Sequence, residues 1–276
     1  MQIVHDGGGI TSEVYLPMRY FLTIFFLAVT AQAQVQPWSL WNSPTQSSFS
    51  FCGKLSRDRN HGPQDFPSEA TIVGSATFAE QGIRVGGASD AISFGDRGES
   101  GDTPDVTGVF SGFSAAMWVR VSATNTTSFL FAKLGDGSCS ENQRQYYFAV
   151  ANGKLRWLWY GDLAGNNYRG YETGNPIAPN AWTHVAVNFD ASTRTVNMWI
   201  NGVAQSETLI LSSGTDGIPV NGTAHIGIGN QLNSSGTICG TPTSPTITIK
   251  ALILSSANLI DATARLYYEQ TRPWIY

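Results

Sequence analysis

The sequence predicts an all-β fold in which two antiparallel sheets pack as a sandwich. Runs rich in β-branched and aromatic residues follow one another at short spacings, separated by Gly, Asn, Asp and Pro. In residues 183–189, apolar residues alternate with polar or small ones, which indicates a strand with one face on a core. Asn152-Gly153 and Asn201-Gly202 are typical of two-residue hairpin turns. Together these observations favour short strands joined by tight turns.

The clearest predicted strands all lie after residue 34. They are residues 113–121, 129–133, 146–150, 154–160, 183–189, 195–200, 224–228 and 246–254. Near the C-terminus, Leu259, Ala262, Leu266 and Tyr267 lie at helical spacing, which predicts one short helix within residues 258–270. No low-complexity linker and no internal repeat divides this part of the chain. We therefore predict a single domain.

The N-terminal residues have the pattern of a secretory signal. A basic residue, Arg19, precedes the apolar run 20–31, and the run ends in A-Q-A at residues 31–33. The run is shorter than the roughly 20 apolar residues that a membrane-spanning helix needs. We predict an upstream extension at 1–17, a signal peptide at 18–33 and a mature domain at 34–276. The mature product is then secreted, periplasmic or displayed at the cell surface, without stable membrane insertion.

The charge content excludes one class of partner. Only 13% of the residues are charged, and the formal net charge is −4. Proteins that bind nucleic acid need a basic footprint for the phosphates, and no run of basic residues occurs in this chain. The sequence therefore predicts no nucleic-acid partner.

The strongest similarity to a known family lies in residues 181–203. They read A-W-T-H-V-A-V-N-F-D-A-S-T-R-T-V-N-M-W-I-N-G-V and resemble the pattern W-x-H-V-A-V-x-F-D followed by V-x-x-Y-V-N-G-V, with Trp199 in place of the usual Tyr. Further matching segments are residues 60–62 (N-H-G), 90–95 (D-A-I-S-F-G), 113–120 (F-S-A-A-M-W-V-R) and 224–229 (A-H-I-G-I-G). On these motifs, residues 38–272 resemble the laminin G-like domains of the concanavalin A-like lectin/glucanase superfamily. The resemblance implies a jelly roll of two antiparallel sheets.

Relatives on this fold include glycoside hydrolases and polysaccharide lyases. A retaining hydrolase needs two carboxylates about 5 Å apart, which alternate residues of one strand can supply. The predicted strands 154–160, 183–189 and 195–200 contain no Asp or Glu, and the strand motifs of the lyases are absent. Trp182 and His184 are interpreted as packing residues. The sequence therefore predicts a non-catalytic domain.

An aromatic segment is one candidate binding surface. The candidate ligand-binding residues are Trp157, Trp159, Tyr168, Arg169, Tyr171 and Arg144. Flat aromatic rings beside guanidinium groups suit the faces and hydroxyls of sugars. Because the two tryptophans alternate along one strand, they face either a ligand or the core. The two tyrosines and Arg169 are predicted to lie in an exposed loop.

Two polar loops, residues 135–144 and 229–240, are a second candidate surface. In pentraxins, distant members of the same superfamily, loops at these places supply ligands to calcium. The resemblance therefore implies Asp136, Glu141, Asn142, Asn230 and Gln231 as metal ligands. Calcium usually takes several carboxylates, and the second loop has none. We predict that no cofactor is required; calcium binding and a solvated polar loop remain the two interpretations.

Each of these loops also carries one of the three cysteines. Since the resemblance implies that the loops are neighbours, it predicts a Cys139–Cys239 disulfide and leaves Cys52 as a free thiol. A bridge from Cys52 to either of the others is the alternative. An exported protein is exposed to oxidising conditions, in which such a bridge persists.

The predicted function is a secreted, non-catalytic recognition domain. It binds carbohydrate, such as a glycan or cell-surface polysaccharide, or mediates cell-surface adhesion. One alternative is a structural module whose partner is a protein. The other is a divergent polysaccharide lyase or glycoside hydrolase. This expectation comes mainly from the resemblance, because a fold does not by itself fix a function.

Overall fold

The computed structural model describes residues 48–51, 71–79, 82–96, 113–135, 141–214, 217, 222–239, 245–255 and 261–272. The chain divides into two compact units, Met1–Gln36 and Pro37–Tyr276, and all of the described residues lie in the second. The predicted signal peptide and the N-H-G turn at 60–62 lie outside them. Within the described part, no helix is long and apolar enough to cross a membrane.

The described residues form sixteen strands and one helix. The strands are β1 (Ser48–Phe51), β2 (Thr71–Val73), β3 (Thr77–Ala79), β4 (Gly82–Val85), β5 (Ala91–Ser93), β6 (Phe113–Val121), β7 (Thr127–Gly135), β8 (Gln143–Ala151), β9 (Lys154–Tyr160), β10 (Tyr168–Pro176), β11 (Thr183–Asp190), β12 (Thr195–Ile200), β13 (Val203–Ala204), β14 (Glu207–Ser213), β15 (Ile226–Gly229) and β16 (Ile247–Ser255). The helix, α1, is Asp261–Thr271. The fold is therefore mostly β with one short C-terminal helix, as predicted.

The strands assemble into two eight-stranded sheets. Sheet A has the order β13-β12-β11-β6-β16-β4-β3, and β1 also pairs with β16. Sheet B has the order β14-β10-β9-β8-β7-β15-β5-β2. All of these pairs are antiparallel. The predicted two-sheet antiparallel sandwich is confirmed.

The predicted hairpin turns are present at the ends of β8 and β12. Asn152 and Gly153 have φ angles of 50° and 82°, and Asn201 and Gly202 have φ angles of 51° and 73°. Two successive positive φ values match the right-handed twist of the flanking strands, and Asn-Gly adopts them at low cost. These turns fix the β8–β9 and β12–β13 pairings and with them the strand register.

The core between the sheets is built largely from aromatic rings. Trp157 of β9 is fully buried, and it stacks on Phe113 and Tyr146 with ring centroids 5.6 and 5.4 Å apart. Its ring also lies 6.1 Å from that of Phe131 and 5.8 Å from that of Phe189. These rings come from β6, β7, β8, β9 and β11, so they join the two sheets.

Helix α1 packs on the outer face of sheet A through three hydrogen bonds along its length. Trp199 Nε1 donates to Asp261 Oδ1 at 2.8 Å, in the first turn of the helix. The Tyr267 hydroxyl donates to the carbonyl of Ala251, which lies at an irregularity in β16 and has a φ of 49°. Trp118 Nε1 donates to Thr271 Oγ1 at 2.7 Å, in the last turn. The predicted helix is thereby confirmed and its position on the sheet is fixed.

His184 of β11 is buried beneath this helix. Its ring lies 5.5 Å from Trp118 and Tyr267 and 5.7 Å from Tyr268, measured between ring centroids. Neither ring nitrogen has a hydrogen-bond partner among the described residues. Burial lowers the pKa of His184 from its usual 6.5 to about 3. The histidine is therefore a neutral packing residue, in agreement with its interpretation from the sequence.

This burial makes a pH-dependent contribution to stability. We expect the free energy of unfolding to fall by about 2 kcal/mol when the pH is lowered from about 7 to about 5. The reason is that the unfolded chain takes up a proton on His184 near its usual pKa of 6.5, whereas the folded chain keeps the ring neutral down to about 3. Urea unfolding of wild type and His184→Phe at both pH values measures the effect.

The His184→Phe variant is expected to lose most of this pH dependence. His225→Gln is the matched control, because His225 lies away from helix α1, directly before β15 of sheet B, and contacts Ser93. A His184→Phe variant with the same pH dependence as wild type would contradict the assignment.

Candidate functional site

Successive side chains of a strand point to opposite faces, and this divides the candidate aromatic residues between the two faces of sheet B. Trp157 and Trp159 are buried and belong to the core, so of the two interpretations the structure favours packing. Tyr171 also faces inward, since its ring stacks on Trp159 at 5.9 Å. Arg169, half-buried, is paired with Trp159 in the β9–β10 register and shares that face. Of the β10 candidates, only Tyr168 faces outward.

The predicted loop around these residues is in fact a strand. β10 runs from Tyr168 to Pro176 and pairs with β9 on one side and β14 on the other. The expectation of an exposed loop is therefore wrong. Gly170 and Thr173 are buried, residues 168–169 and 171–172 are half-buried, and residues 174–176 are exposed.

The outer face of sheet B carries an apolar and aromatic cluster, which we call the tyrosine face. Its members are Phe129, Tyr147, Leu158, Tyr160 and Tyr168, packed around the small side chains of Ala132 and Ala149 and beside Leu134. The rings of Phe129, Tyr160 and Tyr168 are half-buried. The ring centroids of Tyr160 and Tyr168 lie 6.0 Å apart. They offer partly exposed ring surface beside each other on adjacent strands.

Arg144 borders the tyrosine face and is held in place. Its guanidinium carbon lies 5.9 Å from the ring centroid of Tyr160, and Nη1 donates to the carbonyl of Ala164 at 2.5 Å. Gly165 has a φ of 79°, and a Cβ there would lie 2.1 Å from Arg144 Nη1. The glycine thus allows the loop to close over the arginine. The remaining N–H groups of Arg144 have no acceptor within the described part of the chain.

A second arginine crosses the same face further along the strands. Arg156 donates from Nε and Nη2 to Glu172 Oε1, at 2.9 and 2.5 Å. Burial raises the pKa of the Tyr147 hydroxyl, and the hydrogen bond and charge of Arg156 act in the opposite direction. Tyr147, Arg156 and Glu172 are not among the ligand-binding residues predicted from the sequence. Their alternation with the buried tryptophans of β9 and the aromatic residues of β8 is the signal that points to them.

The candidate calcium ligands divide into different environments. Asp136 lies outside the described residues. Glu141 accepts hydrogen bonds from the Ser234 amide at 2.9 Å and from its hydroxyl at 2.6 Å, and these bonds lower the pKa of the carboxyl. The amide of Asn230 is buried and donates to the Asp90 carbonyl at 2.7 Å.

Of these candidates, Glu141 and Asn230 thus form hydrogen bonds within the fold. Asn142 is exposed on the first loop, and the buried Gln231 Oε1 has no hydrogen-bond partner. Among the described residues, no group of three or more His, Cys, Asp or Glu side chains could hold a metal ion. Calcium can also take carbonyl and amide oxygens, so calcium binding by these loops stays a prediction.

The family model described as the concanavalin A-like lectin/glucanases superfamily matches residues 87–240, more than half of the chain. The chain belongs to this superfamily. The match spans the tyrosine face, both polar loops and the β11–β12 hairpin, which carries the strongest motif similarity. A search of curated proteins finds no match.

Solved structures show the same fold at low sequence identity. The binding domain of Paraclostridial Mosquitocidal Protein 1 superposes with a TM-score of 0.57 at 15% identity, covering 82% of this chain and 52% of that one. The receptor binding domain of botulinum neurotoxin D has a TM-score of 0.55 at 12% identity, with coverages of 82% and 52%. The serotype D ligand binding domain in complex with N-acetylneuraminic acid has a TM-score of 0.54 at 12% identity, with coverages of 83% and 52%. This chain spans about half the length of these structures.

In this concanavalin A-like domain the two polar loops are neighbours, as the resemblance implied. Glu141 of the first loop contacts Ser234 of the second through the two hydrogen bonds above. Cys239, at the end of the second loop, is buried and disulfide-bonded. Cys139 and Cys52 lie outside the described residues. The loop contact favours Cys139 as the partner.

We expect non-reducing peptide mapping to recover one linked pair, Cys139 with Cys239. The loops that carry them meet at Glu141, two residues from Cys139, so the short Cα separation of a disulfide is accessible there. Alkylation before proteolysis should label Cys52. A linked peptide that contains Cys52 would contradict this pairing. The Cys139→Ser variant serves as the control, because it should release Cys239 to the label.

Proposed function

We propose that this chain is an exported, non-catalytic recognition domain that binds carbohydrate at the tyrosine face. The observation that carries the proposal is the set of half-buried rings on the outer face of sheet B, bordered by the positioned guanidinium of Arg144. Flat aromatic rings contact the apolar faces of sugars, and fixed N–H donors bind their hydroxyls.

Several features suit this role. Tyr160 and Tyr168 keep part of their rings exposed while their other faces pack on the sheet, so little side-chain freedom is lost when a ligand binds. The loop at residues 161–167 holds Arg144 before any ligand arrives, through the Ala164 carbonyl and the close approach of Gly165. Such preorganisation favours affinity. The similar structures are binding domains, including receptor-binding and ligand-binding ones, which supports the same class of function.

The placement of the carboxylates in sheet B favours a binding function over glycoside hydrolysis. Its described strands carry two, Glu172 and Glu207. Glu207 pairs with Thr173, the residue next to Glu172, so the two carboxylates lie on opposite faces. Glu172 is moreover paired with Arg156. A retaining hydrolase needs two carboxylates about 5–5.5 Å apart on one side of the substrate, and these strands do not supply such a pair.

A second candidate function, adhesion to a protein, is favoured by the edge strand β14. This strand ends the order of sheet B, and its Leu209 and Leu211 are 46% and 39% exposed. An exposed apolar edge can receive a strand or an apolar patch of another protein. A glycan array separates the two functions, because only carbohydrate binding gives saturable signals there.

We expect an array of immobilised neutral oligosaccharides to retain the wild-type domain. Tyr168→Ala should weaken binding of the best oligosaccharide roughly tenfold by calorimetry, because a tenfold change corresponds to about 1.4 kcal/mol, within reach of one lost aromatic contact. Arg144→Gln should act in the same direction through its lost donors.

Tyr268→Ala is the matched control for this experiment. It removes a half-buried tyrosine from helix α1, which covers sheet A rather than sheet B. Thermal melting of each variant shows that the fold is retained. If no oligosaccharide binds, or if Tyr168→Ala binds as wild type does, the tyrosine face is not the carbohydrate site.

The proposal includes export of the mature domain. N-terminal sequencing of material released from the producing cell is expected to begin at or near Gln34, since the A-Q-A ending at residues 31–33 is a signal-peptidase pattern. An Ala31→Arg/Ala33→Arg variant should remain uncleaved. Recovery of released protein that starts at Met1 or Met18 would contradict export by this route.

A further inference from the structure

The outer face of sheet A carries basic residues that sheet register brings together. Thr248 of β16 pairs with Arg84 of β4 on one side and with Arg120 of β6 on the other. Residues paired in this way share a face, so both arginines lie on the outer side of the sheet. Two strand spacings separate their Cα atoms by about 10 Å. Lys250, two residues beyond Thr248, points to the same side.

An indole lies among these cations. Trp182 precedes β11, where Thr183 pairs with Val119, so the tryptophan lies beside Arg120. The guanidinium carbon of Arg120 is 5.2 Å from the centroid of the Trp182 ring, and Lys250 Nζ is 5.0 Å from it. Both distances are within cation–π range. We call Arg84, Arg120, Lys250 and Trp182 the basic row.

No carboxylate neutralises this row within the described part of the molecule. The ion pairs there join Lys133 to Asp96 and Arg156 to Glu172, both on sheet B or its edge. Burial lowers the pKa of Lys250, and the positive charge of Arg120 lowers it further. The cations therefore repel each other and are held together by the fold. An anion that bound between them would relieve this repulsion.

We propose that the basic row is a second binding site, separate from the tyrosine face, for a sulfated or carboxylated sugar. The sulfate or carboxylate lies between Arg120 and Lys250, which donate charge-assisted hydrogen bonds, and the sugar ring contacts the half-buried indole of Trp182. Arg84, which is exposed, extends the positive surface toward the next sugar residue.

A sugar fits this row better than a membrane surface does. Membrane-binding surfaces insert exposed apolar side chains beside their cations. The exposed large apolar residues of the described chain are Ile72, Val203, Leu209, Leu211 and Leu266, and none of them belongs to the row. Trp182 is half-buried against the Trp118 and Ala251 cluster, so it presents a flat surface and does not protrude.

Calorimetry with three hexasaccharides tests the site: a heparin-derived one bearing sulfates, a polygalacturonate one bearing carboxylates, and uncharged cellohexaose. We expect at least one of the anionic probes to bind wild type and to be weakened by about 0.5 M salt, because salt screens the charges. Arg120→Gln/Lys250→Gln should weaken that binding roughly tenfold or more, as expected for two lost charge-assisted contacts.

Lys154→Gln/Arg265→Gln is the matched control, since it removes the same net charge from positions outside the row. Its affinity should equal that of wild type. Arg84→Gln, at an exposed position that contributes no ring contact, tests the site without risk to the fold and should weaken binding a few fold. Tyr168→Ala should bind the anionic probe normally, which separates this site from the tyrosine face.

Three results would overturn the proposal. The first is that neither anionic hexasaccharide binds wild type. The second is that the row variant and the matched control lose affinity equally, which would show an effect of net charge alone. The third is that the row variant loses binding to vesicles containing phosphatidylserine but binds both anionic hexasaccharides as wild type does. That result would assign the row to a membrane.

Discussion

The stacking of Trp157 inside the sandwich is the constraint on which both sides of sheet B depend. Its indole lies against Phe113 and Tyr146 and is fully buried. Since a strand places successive side chains on opposite faces, burial of Trp157 directs Arg156 and Leu158 outward. The same alternation on β8 buries Tyr146 and turns Tyr147 out. The tyrosine face is therefore a consequence of the core and needs no separate structural device.

Much of the fold could be predicted from the sequence because its hairpins carry local signals. The alternation in β11 and β12 and the Asn-Gly turn after β12 are short-range patterns, and the structure has these strands where they were expected. β10 was missed for a physical reason. Its Gly170 packs so closely on Leu158 that a Cβ would lie 3.2 Å from a methyl group of that leucine. A strand that uses glycine for close packing lacks the apolar pattern by which strands are predicted.

The candidate site could be predicted only in part, because its residues come from strands that are neighbours in space. Arg144 and Tyr168 were expected to bind ligand, and the structure places both at the tyrosine face. Tyr171 was grouped with them, but it lies on the opposite, inner face of sheet B, since its ring stacks on Trp159. The error came from treating the segment as a loop. In a loop, aromatic residues that are close in sequence can share a surface. In a strand, residues one or three positions apart, such as Tyr168 and Tyr171, point to opposite faces.

The acidic net charge of −4 and the basic row are compatible, because electrostatic recognition is local. Charges separated by more than the Debye length of about 8 Å are largely screened at physiological ionic strength, so carboxylates elsewhere on the surface do little to neutralise the row. Arg84, Arg120 and Lys250 are far apart in the sequence, and no basic run marks them. Only the order β4-β16-β6-β11 brings them to one face. A row that the sheet assembles can therefore suit an anionic sugar although the sequence contains no basic run.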